Sequence, residues 1–599
     1  MATSPSPHSG ALSDGKWALW SFGIIIIGLL SFRLSDLFAG AIPGIDDMMR
    51  LQQVRDLLSG QSWFLVDQSR LLTPEGGEMH WSRLPDLFLA GFIFLAQPVI
   101  GQTAAEALAM GLWPLILLAI ALTFLVMIMR RLGLNLIGQL AGLFFFASSA
   151  AIYNFWPGRI DHHGFVVVLI LAGLTAILSK EMTARSGIVL ALSVTAALSI
   201  ALEGLPYVAG LIAIMGLFWI VRGHREGVRL AAFGCALMIC ASLFFALDAP
   251  GIGARRMVCD AYGTSHWAGL TFGGFLLTLL GIFGGALDTW QKRLLAGAVA
   301  GGLTIALFVW INPACLGDPY AAVPETVRQT WLDRVDEAKP LISLLQSEPD
   351  RVIWVFGVLA TAGLASILMI LQAKPDHRLA RIGYGLLLVL AIVATIWQVR
   401  GQSFSHVFAA IGAGWLVGVC FDYWQTKRGP GPVLTMAAAA LFLSPLSWRA
   451  LGDNFAIVPD ANGPLASKSM ECVAANNFEQ MATLENMRVH TPIDLGISVL
   501  ARTSNKVFVG PYHRNVKGIE RANLILIGAS NEAQQRLLDL GATHLAYCKG
   551  LAETINYGQN WPNGLAAQLN RDEIPDWLEA VDGKSETDGV VRLYRILPK

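Results

Sequence analysis

Residues 133–179 read GLNLIGQLAGLFFFASSAAIYNF, then WPGRIDHHG, then FVVVLILAGLTAILS: two uncharged apolar runs separated by a short polar loop. Apolar runs of this kind recur from Trp17 to about Ser447, and each approaches the roughly 20 residues that a helix needs to cross a bilayer. Only 14% of the 599 residues are charged, against about 25% in soluble proteins, and the mean hydropathy is +0.54. The sequence therefore predicts a polytopic α-helical membrane protein.

About 13 stretches are apolar and long enough to be predicted as transmembrane helices. They are Trp17–Phe38, Ala105–Met129, Gly133–Phe155, Phe165–Ser179, Ile188–Leu202, Pro206–Ile220, Leu230–Leu247, Leu270–Leu287, Leu294–Ile311, Val352–Leu371, Ile382–Trp397, Val407–Tyr423 and Val433–Ser447. One further apolar run, Leu87–Ile100, is shorter and holds Gln97-Pro98 near its end, which favours a re-entrant or interfacial helix.

The distribution of basic residues predicts the orientation. Alternate loops carry Lys and Arg at 130–131, 180–185, 222–229, 292–293, 374–381 and 427–428, and short basic loops stay in the cytoplasm. A tail at residues 1–16 is then cytoplasmic, and an odd number of spans puts the C-terminal part outside. In a Gram-negative bacterium, this means an inner-membrane protein whose active face and C-terminal domain are in the periplasm.

The chain divides into a membrane domain at residues 17–449, with external loops at 39–104, 156–164 and 312–350, and a polar part at residues 450–599. In the polar part the apolar runs shorten to strand length, at Lys506–Val509, Leu524–Ile527, Thr543–Tyr547 and Val590–Leu597. Between two of them, Ser530–Leu540 is predicted to be a helix that Ser530 caps and Gly541 ends. This pattern predicts a small external α/β domain.

Cysteine positions and charge narrow the class further. Cys259 and Cys315 fall in two loops, and Cys472 and Cys548 fall in the polar C-terminal part. Two pairs on one side of a membrane fit an oxidising compartment. The net charge is +0 and no basic tract is present, so the chain lacks the electrostatic footprint of a nucleic-acid-binding protein.

Three predicted external loops carry carboxylates at membrane ends. They hold Asp46 and Asp47, then Asp161 with His162 and His163, then Glu337. Ionisable residues near a bilayer are functional by default, although each loop alone also fits a structural role. These roles are a helix N-terminus for the first loop, a capped loop for the second and a solvated charged helix for the third.

The three loops are predicted to converge on one face of the membrane. Two carboxylates about 4 Å apart repel by roughly 4 kcal/mol at an effective dielectric constant of about 20. A converging set therefore needs a divalent cation or raised pKa values. The candidate metal ligands are Asp47, Asp161, His163 and Glu337. Oxygen ligands favour Mg²⁺ or Mn²⁺, and an imidazole ligand favours Mn²⁺.

The motif order resembles the catalytic subunit of oligosaccharyltransferases, within the GT-C superfamily of membrane glycosyltransferases. Asp46 and Asp47, followed by Arg50, resemble the family's first external loop, and Asp161-His162-His163-Gly164 resembles the motif of its second. The fifth-loop motif is matched by Arg334-Val335-Asp336-Glu337, and the break between spans five and six by Glu203-Gly204-Leu205-Pro206. The resemblance covers roughly Trp17–Ser447.

The resemblance implies a polyprenyl-phosphate or polyprenyl-diphosphate sugar donor and a glycan, lipid or protein acceptor on the external face. Arg400 matches the family's arginine that meets the lipid phosphate, and Arg83 and His80 are further candidates for phosphate binding. Asp47, or Asp46 if the register shifts by one, is the predicted catalytic residue that orients or deprotonates the acceptor, and Glu337 is grouped with it.

The chain also departs from the family. His163 stands where the second motif has an acidic residue. Residues 450–599 lack the Trp-Trp-Asp-Tyr-Gly segment of the acceptor-sequon pocket and contain Gly510-Pro511-Tyr512-His513-Arg514-Asn515 instead, which either faces the active site or forms a plain turn. Transfer to Asn-X-Ser/Thr is therefore not supported. The alternative function is a non-catalytic lipid or ion transporter, which carboxylates more than about 15 Å apart would favour because they could not share a metal.

Overall fold

The structure, a computed structural model, describes residues 8–72, 76–247, 257–317, 323–456, 469, 471–581 and 590–598. Most of the described chain up to residue 456 is helical. Its α-helices are α1 His8–Ser31, α2 Leu34–Phe38, α3 Ile45–Leu58, α4 Leu84–Ile100, α5 Gln102–Arg131, α6 Leu136–Ser148, α7 His163–Ile177, α8 Ala184–Ile200, α9 Leu205–Arg222, α10 Gly227–Leu247, α11 Thr264–Phe283, α12 Trp290–Ile311, α13 Glu325–Thr330, α14 Leu341–Ser347, α15 Pro349–Leu371, α16 Pro375–Trp397, α17 Gln402–Lys427, α18 Pro430–Leu443 and α19 Pro445–Gly452.

Within the described residues, eight helical segments are long and apolar enough to cross a membrane, or nine if the bent pair Pro430–Leu443 and Pro445–Phe455 counts as one span. The segment Leu202–Leu247 counts once in this total but contains two helices, α9 and α10, joined by a 3₁₀ turn at Gly223–Glu226. Four shorter apolar helices, α4, α6, α7 and α8, fall below the length threshold. The chain is a multi-pass membrane protein, and the number of 13 spans stays a prediction.

Small residues let helices of the bundle approach closely. Helices α6 and α17 contact each other at Gly138, Gly142 and Gly414. A Cβ atom added at Gly414 would lie 2.3 Å from the Gly138 carbonyl oxygen, so only glycine fits this contact without moving the backbones. Membrane helices associate through such close packing, because lipid supplies no hydrophobic driving force between them.

Helix α4, predicted to be re-entrant or interfacial, is paired near its start with the polar helix α3, and so is the start of the next helix, α5. Near its start, Asp86 pairs with Arg50 at 2.8 Å, and shortly after its end, Glu106 pairs with Arg55 at 2.7 Å. Both arginines are on α3, so the starts of α4 and α5 are held to one helix that lies outside the predicted spans. The 83% exposure of Val99 fits contact with lipid along the membrane surface.

A five-stranded mixed sheet, the C-terminal sheet, follows the helical bundle, with strand order β2-β1-β3-β5-β4. Strands β1, β2 and β3 are parallel, and β5 runs antiparallel to β3 and β4. The strands are β1 Arg488–His490, β2 Lys506–Val507, β3 His544–Tyr547, β4 Leu578–Ala580 and β5 Arg592–Ile596. The helices around the sheet are α20 Glu479–Ala482, α21 Ile493–Arg502, α22 Val516–Leu526, α23 Ser530–Leu540, α24 Ala552–Asn560 and α25 Leu565–Asn570.

Three of the four predicted strands are present in shortened form, and one is wrong. Residues Leu524–Ile527 belong largely to helix α22, whose buried positions Ile519, Ala522 and Ile525 are spaced three apart on one helical face. A four-residue apolar run does not distinguish a strand from one buried stretch of a helix. The predicted helix Ser530–Leu540 is confirmed, and Gly541 ends it in the left-handed conformation at φ 73°. The predicted Ser530 cap is wrong, because Ala529 is the N-cap and Ser530 accepts a hydrogen bond from Trp577.

Two disulfides, Cys259–Cys315 and Cys472–Cys548, confirm the two predicted cysteine pairs. The first joins the loop that precedes α11 to the segment that follows α12. The second lies in the core of the C-terminal sheet, where both cysteines are buried. Both disulfides therefore belong to the end of the molecule where the sheet meets the helical bundle, which we call the site end.

The C-terminal sheet holds two loops of the membrane domain. The backbone at residues 70–72 adds to the edge of β2, where Leu72 donates to the Val507 carbonyl oxygen at 2.7 Å. Helix α13 packs Val327 into an apolar cluster with Ile519 of α22, and Asn523 donates to Thr330 at 2.5 Å. These contacts fix the loop that carries Glu337 and the loop that follows α3.

Candidate active site

Asp47, at the N-terminus of α3, anchors the loop that precedes α7. One carboxylate oxygen accepts backbone N–H bonds from Ile160 and Asp161 at 2.8 and 2.9 Å, and the other accepts from Arg159 at 2.7 Å. Gly44 precedes the helix in an extended conformation. A Cβ atom there would lie 2.5 Å from Arg159 Nη1 and 2.7 Å from Asp47 Oδ2, so glycine permits this close approach.

Arg159 lies between two buried carboxylates. Its guanidinium binds Asp47 on one side and Asp161 on the other, and it also covers the Tyr153 ring at 4.7 Å. Asp161 additionally accepts the backbone N–H of His163 at 3.1 Å. A planar guanidinium suits two carboxylates because its donors form a fixed fork. The first two loops predicted to converge are thus joined by direct contacts.

Two adjacent imidazoles face Glu203, in the short segment between α8 and α9. The Glu203 carboxylate lies 3.6 Å from His162 Nε2 and 3.3 Å from His163 Nε2, and the two imidazole rings stack at 4.4 Å. On its other side, His163 Nδ1 is 3.2 Å from Asp161 Oδ2. His163 therefore connects Asp161 to Glu203.

The donor set His162, His163 and Glu203 fits a divalent cation. One ligand atom from each residue lies within 4.8 Å of the others. His163 Nδ1 and Glu203 Oε1 are buried, and within the described parts of the chain neither has a hydrogen-bond partner of good geometry, so both have capacity for a further contact. A mixed nitrogen and oxygen set accepts Mn²⁺ or Zn²⁺ more readily than Mg²⁺. Asp161, in contact with His163, adds a carboxylate next to this set.

The sequence pattern did not identify Glu203 as a site residue. It was grouped only with a helix break, although a carboxylate directly after the apolar run Ile188–Leu202 is unusual in itself. This isolated charge at a membrane end was the available indication. What the sequence could not supply was its distance to His162 and His163, which lie 40 residues earlier in the chain.

Glu337, from the third loop, lies 3.7 Å from Arg400, which belongs to the 3₁₀ turn before α17. Glu337 also affects Asp46. The pKa of Asp46 is raised to about 6, mainly by burial and then by the negative charges of Glu337 and Asp161. The third loop therefore contributes to the same electrostatic field as the first two. Of the predicted residues, Asp46, Asp47, Asp161, His163, Glu337 and Arg400 all lie in this region.

The carboxylates of the site differ in proton affinity. Burial raises the pKa of Asp47 to about 7, although Arg159 opposes the shift. Burial alone would also raise the pKa of Asp161, but the Arg159 guanidinium and the His163 imidazole hold it well below its usual range. Asp47 and Asp161 both contact Arg159, so these two of the three carboxylates do not show the spacing of more than about 15 Å that would favour a transporter.

Arg83 and His80, the other predicted phosphate-binding residues, lie in different surroundings. Arg83 is 1% exposed, binds Asp86 at 3.1 Å, and donates to the Gln53 carbonyl oxygen at 2.9 Å. The His80 ring lies 4.4 Å from the ring of His513. Burial and then His513 lower the pKa of His80, which keeps its imidazole neutral near pH 7. Arg83 thus has structural partners, and His80 carries no charge for a phosphate.

The segment Gly510–Asn515 reaches the site through Tyr512. Tyr512 is buried and packs edge-on against Trp81 at 5.6 Å between ring centroids. Its hydroxyl has no hydrogen-bond partner among the residues that the structure describes. Trp81 in turn lies 6.4 Å from the His162 ring. The two following residues, His513 and Arg514, bind Asp260 at 2.8 and 2.7 Å. Of the two alternatives for this segment, the position beside the site is the one observed.

Comparison with known proteins gives a clear fold and no close relative. No protein-family model and no curated protein matches the chain. Among solved structures, the oligosaccharyltransferase AglB from Archaeoglobus fulgidus, in complex with an inhibitory peptide and a dolichol-phosphate, matches at a TM-score of 0.64 and 13% identity. The match covers 94% of this chain and 73% of that one. The chain has the oligosaccharyltransferase fold.

Two further structures of the Archaeoglobus fulgidus oligosaccharyltransferase agree. The complex with Zn and sulfate matches at a TM-score of 0.61 and 13% identity, over 91% of this chain and 70% of that one. The form tethered to an acceptor peptide with the NVT sequon matches at 0.61 and 11% identity, over 95% and 73%. The resemblance predicted from the motif order is thus confirmed for the fold. Identities this low leave the reaction to be argued from the site.

Proposed function

We propose that this protein is a membrane glycosyltransferase. It transfers a sugar or oligosaccharide from a polyprenyl-phosphate or polyprenyl-diphosphate donor to an acceptor on the external face, with the help of a divalent metal. The observation that carries the proposal is the meeting of five separate segments at one end of the bundle. They contribute Asp46 and Asp47, Asp161 to His163, Glu203, Glu337, and Arg400. A set of acids, imidazoles and one arginine at a membrane surface suits a lipid-linked phosphate.

The metal would be held by His163 and Asp161, with His162 and Glu203 completing the set and Asp47 and Glu337 at its edges. When bound, a divalent ion supplies positive charge that stabilises the leaving phosphate. The imidazoles favour Mn²⁺ over Mg²⁺. The Zn bound by the Archaeoglobus fulgidus relative supports a divalent site in this fold.

Arg400 is the residue that we assign to the donor phosphate. It lies at the start of α17, next to Glu337, and a guanidinium forms strong charge-assisted bonds to phosphate oxygens. The dolichol-phosphate bound by the same relative supports a lipid-linked phosphate as the donor chemistry. Arg83 is a weaker candidate for phosphate binding because it already binds buried partners. His80 is a weaker candidate because its ring is neutral.

Asp46 is the better placed of the two adjacent acids to meet the acceptor. Both oxygens of Asp47 already accept hydrogen bonds, from Arg159 and from two backbone amides. No hydrogen bond of Asp46 is found among the described residues, and its neighbour Tyr512 adds an unpaired hydroxyl. The Asp46 carboxylate would orient or deprotonate the acceptor nucleophile. Because Tyr512 neighbours Asp46, we assign it to the part of the site that would bind the acceptor.

The test uses the full chain, purified in lipid, with a radiolabelled polyprenyl-linked sugar. Transfer or hydrolysis is measured before chelation, after it, and after Mn²⁺ or Mg²⁺ is returned. We expect activity to be lost on chelation and restored by the metal, and to fall at least about 100-fold in Asp161→Ala and Glu337→Ala. Asp333→Ala, an exposed acid in the same loop as Glu337, is the matched control and should keep full activity.

Activity that survives chelation and both substitutions would contradict the site assignment. Binding of the labelled lipid should persist in Asp161→Ala, because this substitution leaves Arg400 in place. Loss of transfer with retained binding therefore separates a catalytic defect from unfolding.

A further inference from the structure

A cavity of about 620 Å³ opens at the end of the helical bundle opposite the candidate active site. Its lining residues come from the segment after α7, the end of α9 and the start of α16. They are Lys180, Met182, Val221, Arg222, Arg225 and Asp376. Three basic side chains against one acidic side chain give the cavity a positive character.

Helix α9 fixes the distance between this cavity and the active site. Glu203 immediately precedes α9, and Arg222 is its last residue. The 18 residues of the helix span about 27 Å, close to the roughly 30 Å of a bilayer hydrocarbon core. The cavity therefore lies at the other membrane surface, which we call the basic end.

The positive charge of the cavity is only partly neutralised by the protein. Arg222 binds Glu226 at 2.7 Å, but Glu226 also binds Arg229 at 2.6 Å, so one buried carboxylate serves two guanidiniums. Within the described part of the chain, Lys180 and Arg225 have no hydrogen-bond or ion-pair partner, and both are exposed. A helix C-terminus favours one cation such as Arg222, but Lys180 and Arg225 lie beyond the helix ends.

The rim of the cavity is apolar on the side of the membrane. Met182 and Val221 line it, and Val221 is 53% exposed. In a multi-pass membrane protein such exposed aliphatic side chains contact lipid tails. The cavity thus combines cations at the level of lipid phosphates with an apolar surface at the level of acyl chains.

We propose that this cavity binds the headgroup of an anionic phospholipid. Its phosphate would lie between Lys180, Arg222 and Arg225, and an acyl chain would run along Val221. Basic pockets between transmembrane helices bind anionic headgroups in this way. A zwitterionic headgroup fits less well, because its own cation would meet the positive lining. The site is separate from the donor site, and its role would be to fix the helix ends at this surface.

The experiment measures thermal unfolding of the purified full chain in neutral detergent after addition of phosphatidylglycerol, phosphatidylcholine or inorganic phosphate. The variant is Lys180→Gln with Arg225→Gln. Lys427→Gln with Arg428→Gln is the matched control, because it removes one Lys and one Arg from exposed positions at the same end, outside the cavity. A third variant, Lys180→Arg with Arg225→Lys, keeps both charges.

We expect phosphatidylglycerol alone to raise the unfolding temperature of the wild type and of the control. In the cavity variant the phosphatidylglycerol concentration needed for half of the shift should rise at least about tenfold, since each basic residue near the surface contributes to binding. The charge-keeping variant should retain the effect.

Three outcomes would overturn the proposal. A shift of equal size with phosphatidylcholine would mean non-specific lipid stabilisation. A shift with inorganic phosphate would mean a site for soluble anions. An unchanged response in the cavity variant would place the lipid elsewhere. Comparing the three additives on the wild type is sufficient to test for the first two of these outcomes, even if a variant cannot be purified.

Discussion

Arg159 determines how the candidate site can hold so many acids. Asp47 and Asp161 are both buried, and their charges are compensated by one guanidinium that contacts each of them. A buried carboxylate without its partner is costly, typically about 3–5 kcal/mol when one side of a buried pair is removed. Arg159 and the two backbone bonds that Asp47 accepts from Ile160 and Asp161 together hold the first two site loops in position.

The first prediction concerns Arg159→Met. The substitution should lower the free energy of unfolding by about 3 kcal/mol, because Asp47 loses its guanidinium partner and Asp161 keeps only the His163 imidazole beside it. Arg159→Lys should recover only part of this loss, since an ammonium lacks the fork that meets both acids. This prediction is checked by measuring thermal unfolding with and without Mn²⁺. A divalent ion should stabilise Arg159→Met more than it stabilises the wild type. An equal stability of all three proteins would show that the acids do not need Arg159.

The second prediction concerns Gly44→Ala. The added Cβ atom would lie 2.5 Å from Arg159 Nη1 and 2.7 Å from Asp47 Oδ2, so the guanidinium or the start of α3 must move. Transfer should fall at least about tenfold, because a shift of this size misplaces a catalytic loop. Gly216→Ala is the matched control, since nothing lies within 4 Å of a Cβ atom there. Equal activity of both variants would contradict the proposed role of the contact.

At the scale of elements, the segment Gly510–Asn515 joins the C-terminal sheet to the membrane domain. The Asp260 carboxylate lies 2.8 Å from His513 Nε2 and accepts two hydrogen bonds from the Arg514 guanidinium at 2.7 and 2.9 Å. Arg514 also binds Glu78 at 3.1 Å. Cys259, next to Asp260, is held to Cys315 by a disulfide. The Asp260 carboxylate thus binds two consecutive residues of the C-terminal part, and Arg514 connects it to Glu78 of the loop that follows α3.

The third prediction is a pH-dependent loss of stability in Asp260→Asn. Although burial raises the pKa of Asp260, its bonds to His513 and Arg514 bring it far below the usual range. A folded-state pKa below the unfolded value of about 3.9 stabilises the protein above that pH, and the stabilisation is lost as the pH falls. Asp260→Asn should therefore lower the free energy of unfolding by about 2 kcal/mol at pH 7, and by less at about pH 2.5, which lies below the unfolded pKa.

Unfolding in denaturant at the two pH values measures the difference between Asp260→Asn and the wild type. Asp333→Asn, at an exposed position, is the control and should show no dependence of this kind. A difference that grows as the pH falls would have the wrong sign for the proposed contact.

The sequence predicts those elements whose structure is determined by interactions between residues close together in the chain. Helix Ser530–Leu540 is correct because Gly541 ends it through its own backbone conformation. The acids of α3 and of the loop before α7 were identifiable because charge next to apolar runs is unusual in any context. Leu524–Ile527 was wrong because four apolar residues do not define a period. Glu203 and Tyr512 required contacts across distant segments, which a linear pattern does not contain.

For the whole molecule, two independent physical rules predict the same orientation. Both disulfides lie at the site end, and disulfides persist in oxidising compartments outside the cytoplasm. The residues Arg131, Arg222 and Lys427, at the last turns of α5, α9 and α17, lie at the opposite end, and basic loops remain in the cytoplasm. Cysteine chemistry and charge distribution share no residues, so their agreement favours the orientation in which the site end lies outside the cytoplasm, and this orientation stays a prediction.

The fourth prediction tests this orientation in cells. Alkaline phosphatase, which is active only outside the cytoplasm, should be active when fused after residue 598 and inactive when fused after Lys374, in the loop between α15 and α16. The reason is that the C-terminal sheet contacts the site end, whereas α15 runs from the site end, where Asp350 adjoins the loop of Glu337, to the basic end. A fluorescent protein that folds only in the cytoplasm should give the inverse pattern. Phosphatase activity of the fusion at Lys374 would mean that the orientation is the reverse of the predicted one. The active site would then lie in the cytoplasm, where the disulfides would be reduced. The fold would be unaffected by this result, but an acceptor in the periplasm would be excluded.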